Sequence, residues 1–321
     1  MNKNLNEKIA TYIEKAKKIF NNPQSSPFEK DWANALIDYL SENNEEAIAK
    51  FHWLLENYPE KINFNDLSLI YSRLSHCYSR LKNYNKALLY LESAITLNPN
   101  SDKAWYNKGI ILDNLGKHSE ALECYNKSIE INPDYDMTWY NKGLLFTYLK
   151  RHEEALKCYE EALKINPNND MAWNNKGIVL SNLGRNNEAL DCYDRALSIN
   201  PNNDKAWNNK GNFYEMMGEN EKVLHCSEQA LNINLKNDKA WYNKGNALFG
   251  LKKYDDALKY YDKALEINPH DDMAWHNKGV VYGHLTEYKK ALECFNEALI
   301  INPNNGDAQE KRRLVISLLD D

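Results

Sequence analysis

The one histidine motif that could hold a catalytic zinc is incomplete. His152-Glu153 begins like HExxH, in which two His side chains on one helix face bind zinc and the Glu acts as a base. Leu156 stands where the second ligand must be. Gly116-Lys117 lacks the upstream glycine of a phosphate-binding loop. We therefore predict that the chain is not an enzyme and holds no metal or cofactor.

Cysteine is the next residue type that could do chemistry, through disulfides or a metal. Five of the six cysteines recur at one position of a repeating pattern: Cys124, Cys158, Cys192, Cys226 and Cys294. Packed helices lie about 8–10 Å apart, whereas the Cα atoms of a disulfide need about 4.4–6.8 Å. We expect these cysteines to be free, buried and apolar in role. Reduced thiols fit a cytoplasmic protein.

Asparagine is the polar residue with the most regular placement. Six asparagines follow one another at intervals of 34 residues: Asn107, Asn141, Asn175, Asn209, Asn243 and Asn277. Each carboxamide offers two donors and an acceptor, which match the main-chain groups of a peptide. A row with one Asn per packed helix, about 8–10 Å apart, would suit an extended chain that advances about 9.3 Å per three residues. The same Asn could instead repeat through duplication, or bond a neighbouring helix.

These asparagines belong to a longer repeat that must position them. A tryptophan stands two residues before each: Trp105, Trp139, Trp173, Trp207, Trp241 and Trp275. Glycine follows each tryptophan by four residues, and most units end in Asn-Pro. A fixed period of this length indicates a repeat protein. Because one helix pair cannot bury its own apolar face, neighbouring pairs have to stack.

The pattern resembles the tetratricopeptide repeat (TPR) family, in which Trp, Gly, Tyr, Ala, Phe and Pro recur over 34 residues. The resemblance implies an all-α fold: a right-handed α-solenoid of stacked antiparallel helix pairs, the TPR superhelix, with a C-terminal capping helix. It also implies that the first helix of each repeat lines an inner groove. The asparagine row is similar to the ladder in the TPR superhelix of O-GlcNAc transferases.

The repeat phase divides the chain into four predicted regions. They are an N-terminal helix at 1–27, a degenerate TPR-like repeat and loop at 28–67, seven TPR repeats at 68–305 and a capping helix at 306–321. The repeat 204–237 is weak, because Val223, Ser227 and Leu235 replace the usual Ala, aromatic residue and Pro. We expect this repeat to open first unless Met216 and Met217 fill the space.

The other groove positions vary, as residues that select a ligand would. Apolar side chains five residues after the tryptophan are Ile110, Leu144 and Ile178. Tyr106 and Tyr140 directly follow their tryptophans. Together with the six asparagines they form the predicted peptide-binding groove, with hydrophobic anchors in the region 102–203. The alternative is apolar surface scattered along a solenoid.

We do not expect the chain to bind the C-terminal carboxylate of a partner protein. TPR co-chaperones use a Lys/Asn/Lys/Arg clamp for this purpose. Here the residue after each tryptophan is never Lys, and Asn occupies the place of the final Arg in all units but the one with Arg73. Arg73 and Lys103 alone make a weak cationic pair.

Charge and hydropathy restrict the classes of partner that we expect the chain to bind. The net charge is −6 and no basic patch is visible, so nucleic acid is not expected. No apolar run approaches the roughly 18 residues of a membrane helix, so insertion into a membrane is not expected either. We predict a non-catalytic scaffold or adaptor that binds an extended peptide segment of a protein partner in the concave groove. The alternative is the substrate-recognition module of a separate enzyme complex, glycosyltransferase-like or other.

The C-terminal segment carries more apolar residues than one helix stripe needs. They are Leu314, Val315, Ile316, Leu318 and Leu319. Contiguous exposed apolar residues usually mark an interface, so a weak homodimer through this helix is predicted. In the alternative, Leu314 and Leu318 merely close the groove mouth of a monomer.

Overall fold

The computed structural model describes residues 2–320, with side chains described for residues 7–319. Met1 and Asp321, which the predicted terminal regions include, lie outside the described residues. The described part consists of α-helices and one short 3-10 helix, and it contains no strand. The chain divides into two compact units, one up to Lys150 and one from Arg151 on.

The first unit contains helices α1 to α8. Their bounds are α1 Asn2–Asn21, α2 Pro27–Leu40, α3 Asn44–Asn57, α4 Phe64–Arg80, α5 Tyr84–Leu97, α6 Asp102–Asn114, α7 His118–Ile131 and α8 Asp136–Tyr148, with the 3-10 helix Pro59–Lys61 between α3 and α4. The aromatic residue Phe51 of α3 and Leu74 of α4 are fully buried in one cluster. The predicted region 28–67 therefore contains a helix pair that packs on the next repeat.

The second unit contains helices α9 to α18. Their bounds are α9 His152–Ile165, α10 Asp170–Asn182, α11 Asn186–Ile199, α12 Asp204–Met216, α13 Asn220–Ile233, α14 Asp238–Gly250, α15 Tyr254–Ile267, α16 Asp272–His284, α17 Tyr288–Ile301 and α18 Gly306–Asp320. Val315 of α18 is buried against Phe295 of α17.

A left-handed residue separates the two helices of each pair. Gly116, Gly184 and Gly218 have φ of 74°, 73° and 71°, the left-handed conformation that glycine adopts readily at helix ends. Lys150 and Thr286 take the same conformation in their repeats without being glycine. The turn is thus set by the stacking of the pair, and glycine only makes it less strained.

Close approach of the paired helices depends on a second glycine. A Cβ at Gly177 of α10 would lie 2.7 Å from Cε1 of Tyr193, which belongs to α11 and is buried. Gly109, Gly245 and Gly279 meet the rings of Tyr125, Tyr261 and Phe295 in the same way. Each ring therefore packs directly against the backbone of its glycine, and this contact fixes the distance between the two helices of the pair.

Asparagines at the end of a repeat bond the aspartate at its start. Asn200 donates from Nδ2 to Oδ2 of Asp170 at 2.8 Å, and Asn203 donates to the same oxygen at 3.0 Å. Asn234 and Asn237 hold Asp204 likewise, both at 3.0 Å. Because Asp170 and Asp204 open their helices, these bonds join the start of one repeat to its end. Much of the asparagine in the sequence has this structural role.

Lysines three residues after the tryptophans form a row of ion pairs. Each of five pairs with an acid sixteen residues earlier: Lys108 with Glu92, Lys176 with Glu160, Lys210 with Asp194, Lys244 with Glu228 and Lys278 with Asp262. In four of the five the Nζ atom also lies over the tryptophan ring, for example 5.7 Å from the ring centre of Trp207 for Lys210, whereas Lys244 lies over Tyr260. These lysines are therefore paired within the protein and stabilise the fold.

Candidate functional site

In the first unit, the predicted groove residues fall into two classes. Asn107, Ile110 and Leu144 are half-buried on first helices and reach the surface. Tyr106 and Tyr140 are buried. The ring of Tyr106 packs edge-on to Tyr135, with 5.1 Å between centres. The tyrosine rings thus belong mainly to the core, which the sequence pattern alone did not reveal.

Asn141 is held by the repeat before it. Its Nδ2 donates to the Tyr106 hydroxyl at 2.8 Å and to the Met137 carbonyl at 2.9 Å. Burial raises the pKa of Tyr106 well above its usual value, so the phenol keeps its proton. Both donors of the Asn141 carboxamide are used within the protein, and its oxygen has no protein donor among the described contacts.

In the second unit, two ladder residues continue this pattern. Asn209 donates from Nδ2 to Oδ1 of Asn174 at 2.9 Å. Asn277 donates to the Tyr242 hydroxyl at 2.9 Å and to Oδ1 of Asn246 at 3.0 Å. The bonding of neighbouring helices, which the sequence left as an alternative, therefore occurs. It leaves part of each carboxamide for a ligand, since each Asn has two donors and an acceptor.

Asn243 differs from the other ladder residues because it is only 2% exposed. It donates to Oδ1 of Asn212 at 2.7 Å. Ser227 stands in this repeat where the others have an aromatic ring, and a Cβ at Gly211 would meet only Cys226 and, at 3.8 Å, Nδ2 of Asn243. The side chain of Asn243 thus lies next to the space that the missing ring leaves, and its surface is not open to a ligand.

A polar network follows Asn243 along the second unit. Asn246, which is buried, donates from Nδ2 to Oε1 of Glu215 at 2.7 Å. Its Oδ1 accepts the hydroxyl proton of Tyr261 at 2.6 Å. Burial raises the pKa of the Glu215 carboxyl, while the bond from Asn246 opposes that shift. The network joins α12, α14 and α15 and keeps the polar groups of this region paired.

An open cavity of about 470 Å³ lies on the first helices α10, α12 and α14. Six asparagines line it: Asn174, Asn175, Asn208, Asn209, Asn234 and Asn237. Ile178 contributes an apolar side chain, and Lys205, Lys236 and Lys239 stand around it. Three of the predicted groove residues, Asn175, Asn209 and Ile178, are thereby brought together in one place.

Several residues of this cavity are absent from the predicted set. Asn174 and Asn208 directly follow their tryptophans, where other repeats have Tyr or His. Their replacement of a large ring by a small carboxamide is the sequence signal that a cavity opens here. The volume lies within the range of about 300–1,000 Å³ that is usual for ligand sites.

Within residues 2–320 no group of three or more His, Cys, Asp or Glu side chains is placed to hold a metal ion. All six cysteines are buried and none forms a disulfide, as the sequence predicts. Burial raises the pKa of Cys192 and of Cys226 to about 11. None of the described helices is long and apolar enough to cross a membrane.

Comparison with solved structures shows the fold. A chain of the APC/C hetero-tetramer Cut9–Hcn1 matches with a TM-score of 0.65 at 19% identity, over 94% of this chain and 58% of that one. A TPR protein from Parabacteroides merdae matches with a TM-score of 0.60 at 17% identity, over 79% and 98% of the two chains. YrrB, described as a TPR protein with an unusual peptide-binding site, matches at 0.48 and 24%, over 60% and 99%.

The predicted fold class, an all-α solenoid of stacked helix pairs, is therefore confirmed. This chain spans 58% of the length of the Cut9–Hcn1 chain that it matches. Curated proteins provide no match.

Family profiles match most of the repeats. The tetratricopeptide repeat profile matches residues 102–135, 137–169, 171–203, 238–271 and 273–305. Two further profiles with the same description match 68–101 and 192–225. The second of these is out of phase with the tryptophans, and the weak repeat 204–237 is not matched in phase. Repeats of this kind form protein-interaction scaffolds. The chain belongs to the tetratricopeptide repeat family.

Proposed function

We propose that the chain is a non-catalytic scaffold that binds an extended peptide segment of a partner protein on its first helices. The observation that carries this proposal is the cavity of about 470 Å³ that contains Asn175, Asn209 and Ile178. Two ladder carboxamides on neighbouring repeats flank one apolar side chain there. Their helix spacing of about 8–10 Å suits the advance of three residues in an extended chain.

In the first unit, Asn107, Ile110 and Leu144 are half-buried on first helices and form a separate candidate surface. We propose that Ile110 and Leu144 hold apolar side chains of the partner, while Asn107 and Asn141 contact its main chain. Asn277 serves in the same way near the C-terminal end. We leave Tyr106, Tyr140 and Asn243 out of the proposed contact surface, because they are buried or nearly so.

Capture of partners from a lysate of the source cell tests this function. Asn175→Ala with Asn209→Ala should reduce capture, since each lost hydrogen bond is worth about 0.5–1.5 kcal/mol. Asn187→Ala, an exposed asparagine on the second helix α11, is the matched control. Equal capture by the wild type and the double variant would contradict the proposal. If the double variant melts much lower yet captures normally, the asparagine row is structural.

The same experiment separates the scaffold from a substrate-recognition module. If the captured protein transfers a sugar or modifies another protein, the chain serves an enzyme complex. We propose the plain scaffold, because the cavity on the first helices is lined by amides, lysines, two aspartates and one apolar side chain. The free, buried thiols are those expected in a reducing compartment, and we propose the cytoplasm.

We also propose that the chain self-associates weakly through its C-terminal helix α18. Leu314 is 53% and Leu318 41% exposed on this helix. Both line a small cavity against Val280 and Tyr288 of the preceding helix pair. Apolar side chains so exposed at the end of a repeat array favour a partner surface.

A further inference from the structure

We propose that the cavity on α10, α12 and α14 binds an acidic internal segment of the partner in extended conformation. This inference rests on the proposed function and adds to it the chemical class of the ligand. Three observations support it. Three lysines around the cavity form no ion pair within the described part of the chain, and the two aspartates in its lining are hydrogen-bonded within the protein. A buried carboxamide oxygen in the lining has no donor from any described residue.

The lysines around the cavity differ from those of the structural row. Lys205, Lys236 and Lys239 are exposed, and none of them forms an ion pair with a described residue. Lys210 and Lys244, on the same helices as Lys205 and Lys239, are paired with Asp194 and Glu228 at 2.5 and 3.0 Å. The cavity thus keeps three ammonium groups available, each of which attracts a carboxylate.

The two acids in the lining offset only part of this charge. Asp204 accepts hydrogen bonds from Asn234 and Asn237, both at 3.0 Å. Asp238 accepts one from Asn268 at 3.0 Å. Both carboxylates are therefore engaged in closing their own repeats. The lysines outnumber them three to two, so the lining favours a ligand of negative charge.

Asn208 in the cavity lining supplies the feature that favours an extended main chain. This residue is 6% exposed, and its Nδ2 donates to Oδ1 of Asn237 at 2.9 Å. Its Oδ1 is buried and meets no donor among the described residues. Buried acceptors without a donor are uncommon in folded proteins. A rotation of the carboxamide towards the cavity exchanges the bond to Asn237 for one in which this oxygen accepts a main-chain N–H of the ligand.

Asn209 and Ile178 complete the recognition of such a segment. Asn209 already donates one Nδ2 hydrogen to Asn174, and the second remains for a main-chain carbonyl of the ligand. Ile178 offers an apolar contact for a side chain between two acidic ones. Amides thus hold the main chain, and the lysines select glutamate or aspartate at the flanking positions.

Fluorescence anisotropy with the full chain tests the preference for acid. The probes are labelled nonapeptides with amidated ends, in which serine alternates with glutamate, glutamine or lysine. We expect the glutamate peptide to bind about tenfold more tightly than the glutamine peptide at 50 mM salt. This ratio should shrink at 500 mM salt, because exposed charges are then screened. Equal affinity for the two peptides, or no binding of the glutamate peptide, overturns the inference.

Lysine variants locate the site. Lys205→Gln, Lys236→Gln and Lys239→Gln combined should lower the affinity for the glutamate peptide about tenfold, as expected for three exposed ion pairs. The affinity for the glutamine peptide should not change. Lys103→Gln, at the position of Lys205 in the repeat 102–135, is the matched control and should bind like the wild type. An undiminished affinity of the triple variant contradicts the proposed site.

Further binding measurements distinguish this inference from the proposed function. Asn208→Ala should weaken the glutamate and glutamine peptides by the same factor, because its oxygen contacts the main chain of either. A glutamate peptide with a free C-terminal carboxylate should bind no more tightly than the amidated one, and a strong gain would show recognition of a chain end instead. If the cellular partner is captured but the glutamate peptide does not displace it, the scaffold function stands and this inference fails.

Discussion

The contact between a glycine and an aromatic ring sets the spacing inside each helix pair. Tyr193 and Tyr261 lie so close to Gly177 and Gly245 that a Cβ would be 2.7 Å from a ring carbon. Gly211 has no such ring over it, because Ser227 stands in its place. The ring of Tyr193 therefore requires a glycine at Gly177, whereas no ring requires a glycine at Gly211.

This difference predicts opposite effects of one substitution. Gly211→Ala should raise stability by about 0.5–1 kcal/mol, since alanine favours the helix and its Cβ would meet only Cys226 at 3.4 Å and Asn243 at 3.8 Å. Gly177→Ala should lower stability by about 1–3 kcal/mol through overpacking against the buried Tyr193. Urea denaturation followed by circular dichroism measures both. A loss of stability in Gly211→Ala, or none in Gly177→Ala, would contradict the packing argument.

The position of single side chains was only partly predictable from the sequence. The period of 34 residues correctly predicted buried cysteines at one repeat position. It could not predict the burial of Asn243, since this depends on Ser227 in another helix. It also placed Tyr106 in the groove, whereas the ring packs on Tyr135. Periodicity identifies a helix face but does not say which large side chains on it turn inward.

At the scale of elements, the repeat 204–237 is the irregular one. The sequence left open whether Met216 and Met217 fill the space of the missing ring. They do not, since they are 69% and 56% exposed. Ser227 bonds the carbonyl of Val223 in its own helix, at 2.9 Å, instead of packing on α12. The helix pair α12–α13 therefore lacks the central ring contact of its neighbours.

Hydrogen exchange should show that this pair opens first. Truncation of a buried aromatic ring costs about 3–5 kcal/mol, and a repeat array responds to such a loss locally. We expect the amides of 223–233 in α13 to exchange faster than those of 189–199 in α11. Tyr193→Ser should bring α11 to a similar rate and serves as the matched comparison. Slower exchange in α13 than in wild-type α11 would contradict this prediction.

The helix bounds show what element-level prediction can achieve. The repeat period predicted stacked helix pairs, and the structure has one such pair in α6 Asp102–Asn114 and α7 His118–Ile131. Such agreement follows because Asn-Pro and the left-handed turn end helices locally. The cavity on α10, α12 and α14 was not predictable in this way, because it depends on three repeats being stacked.

At the scale of the whole molecule, buried thiols link stability to pH. Burial raises the pKa of Cys77, Cys124, Cys192, Cys226 and Cys294 to about 11 from an ordinary value of 9. Folding therefore disfavours the thiolate. The stabilising contribution is complete below pH 9, where both states keep the proton, and it is lost as the pH rises towards 11.

Two measurements check this linkage. The urea midpoint should fall steadily between pH 9 and 11, and a Cys192→Ala, Cys226→Ala variant should lose less over this range than the wild type. A thiol reagent at pH 8 should label none of the six cysteines in the folded chain and all of them in denaturant. Rapid labelling of the native protein, or a midpoint that does not depend on pH, would contradict the burial of these groups.

The exposed face of helix α18 is the surface through which two copies of the chain would associate. In a solenoid, each helix pair is covered by the next, and the last helix must end the series with a polar outer face. On α18 Ala308 and Val315 are buried, whereas Leu314 and Leu318 remain exposed. Pairing two such helices around a two-fold axis would cover both sets of leucines with the same contact.

We therefore expect a reversible dimer in sedimentation equilibrium at tens of micromolar chain. Leu314→Glu with Leu318→Glu should shift the species to monomer, because an isologous contact would place the new charges of both copies together. Ile300→Glu is the control, since this side chain is 72% exposed on the neighbouring helix α17 and its substitution should leave the dimer intact. A wild-type chain that sediments as a monomer, unchanged in the double variant, would mean that the two leucines only close the end of the groove.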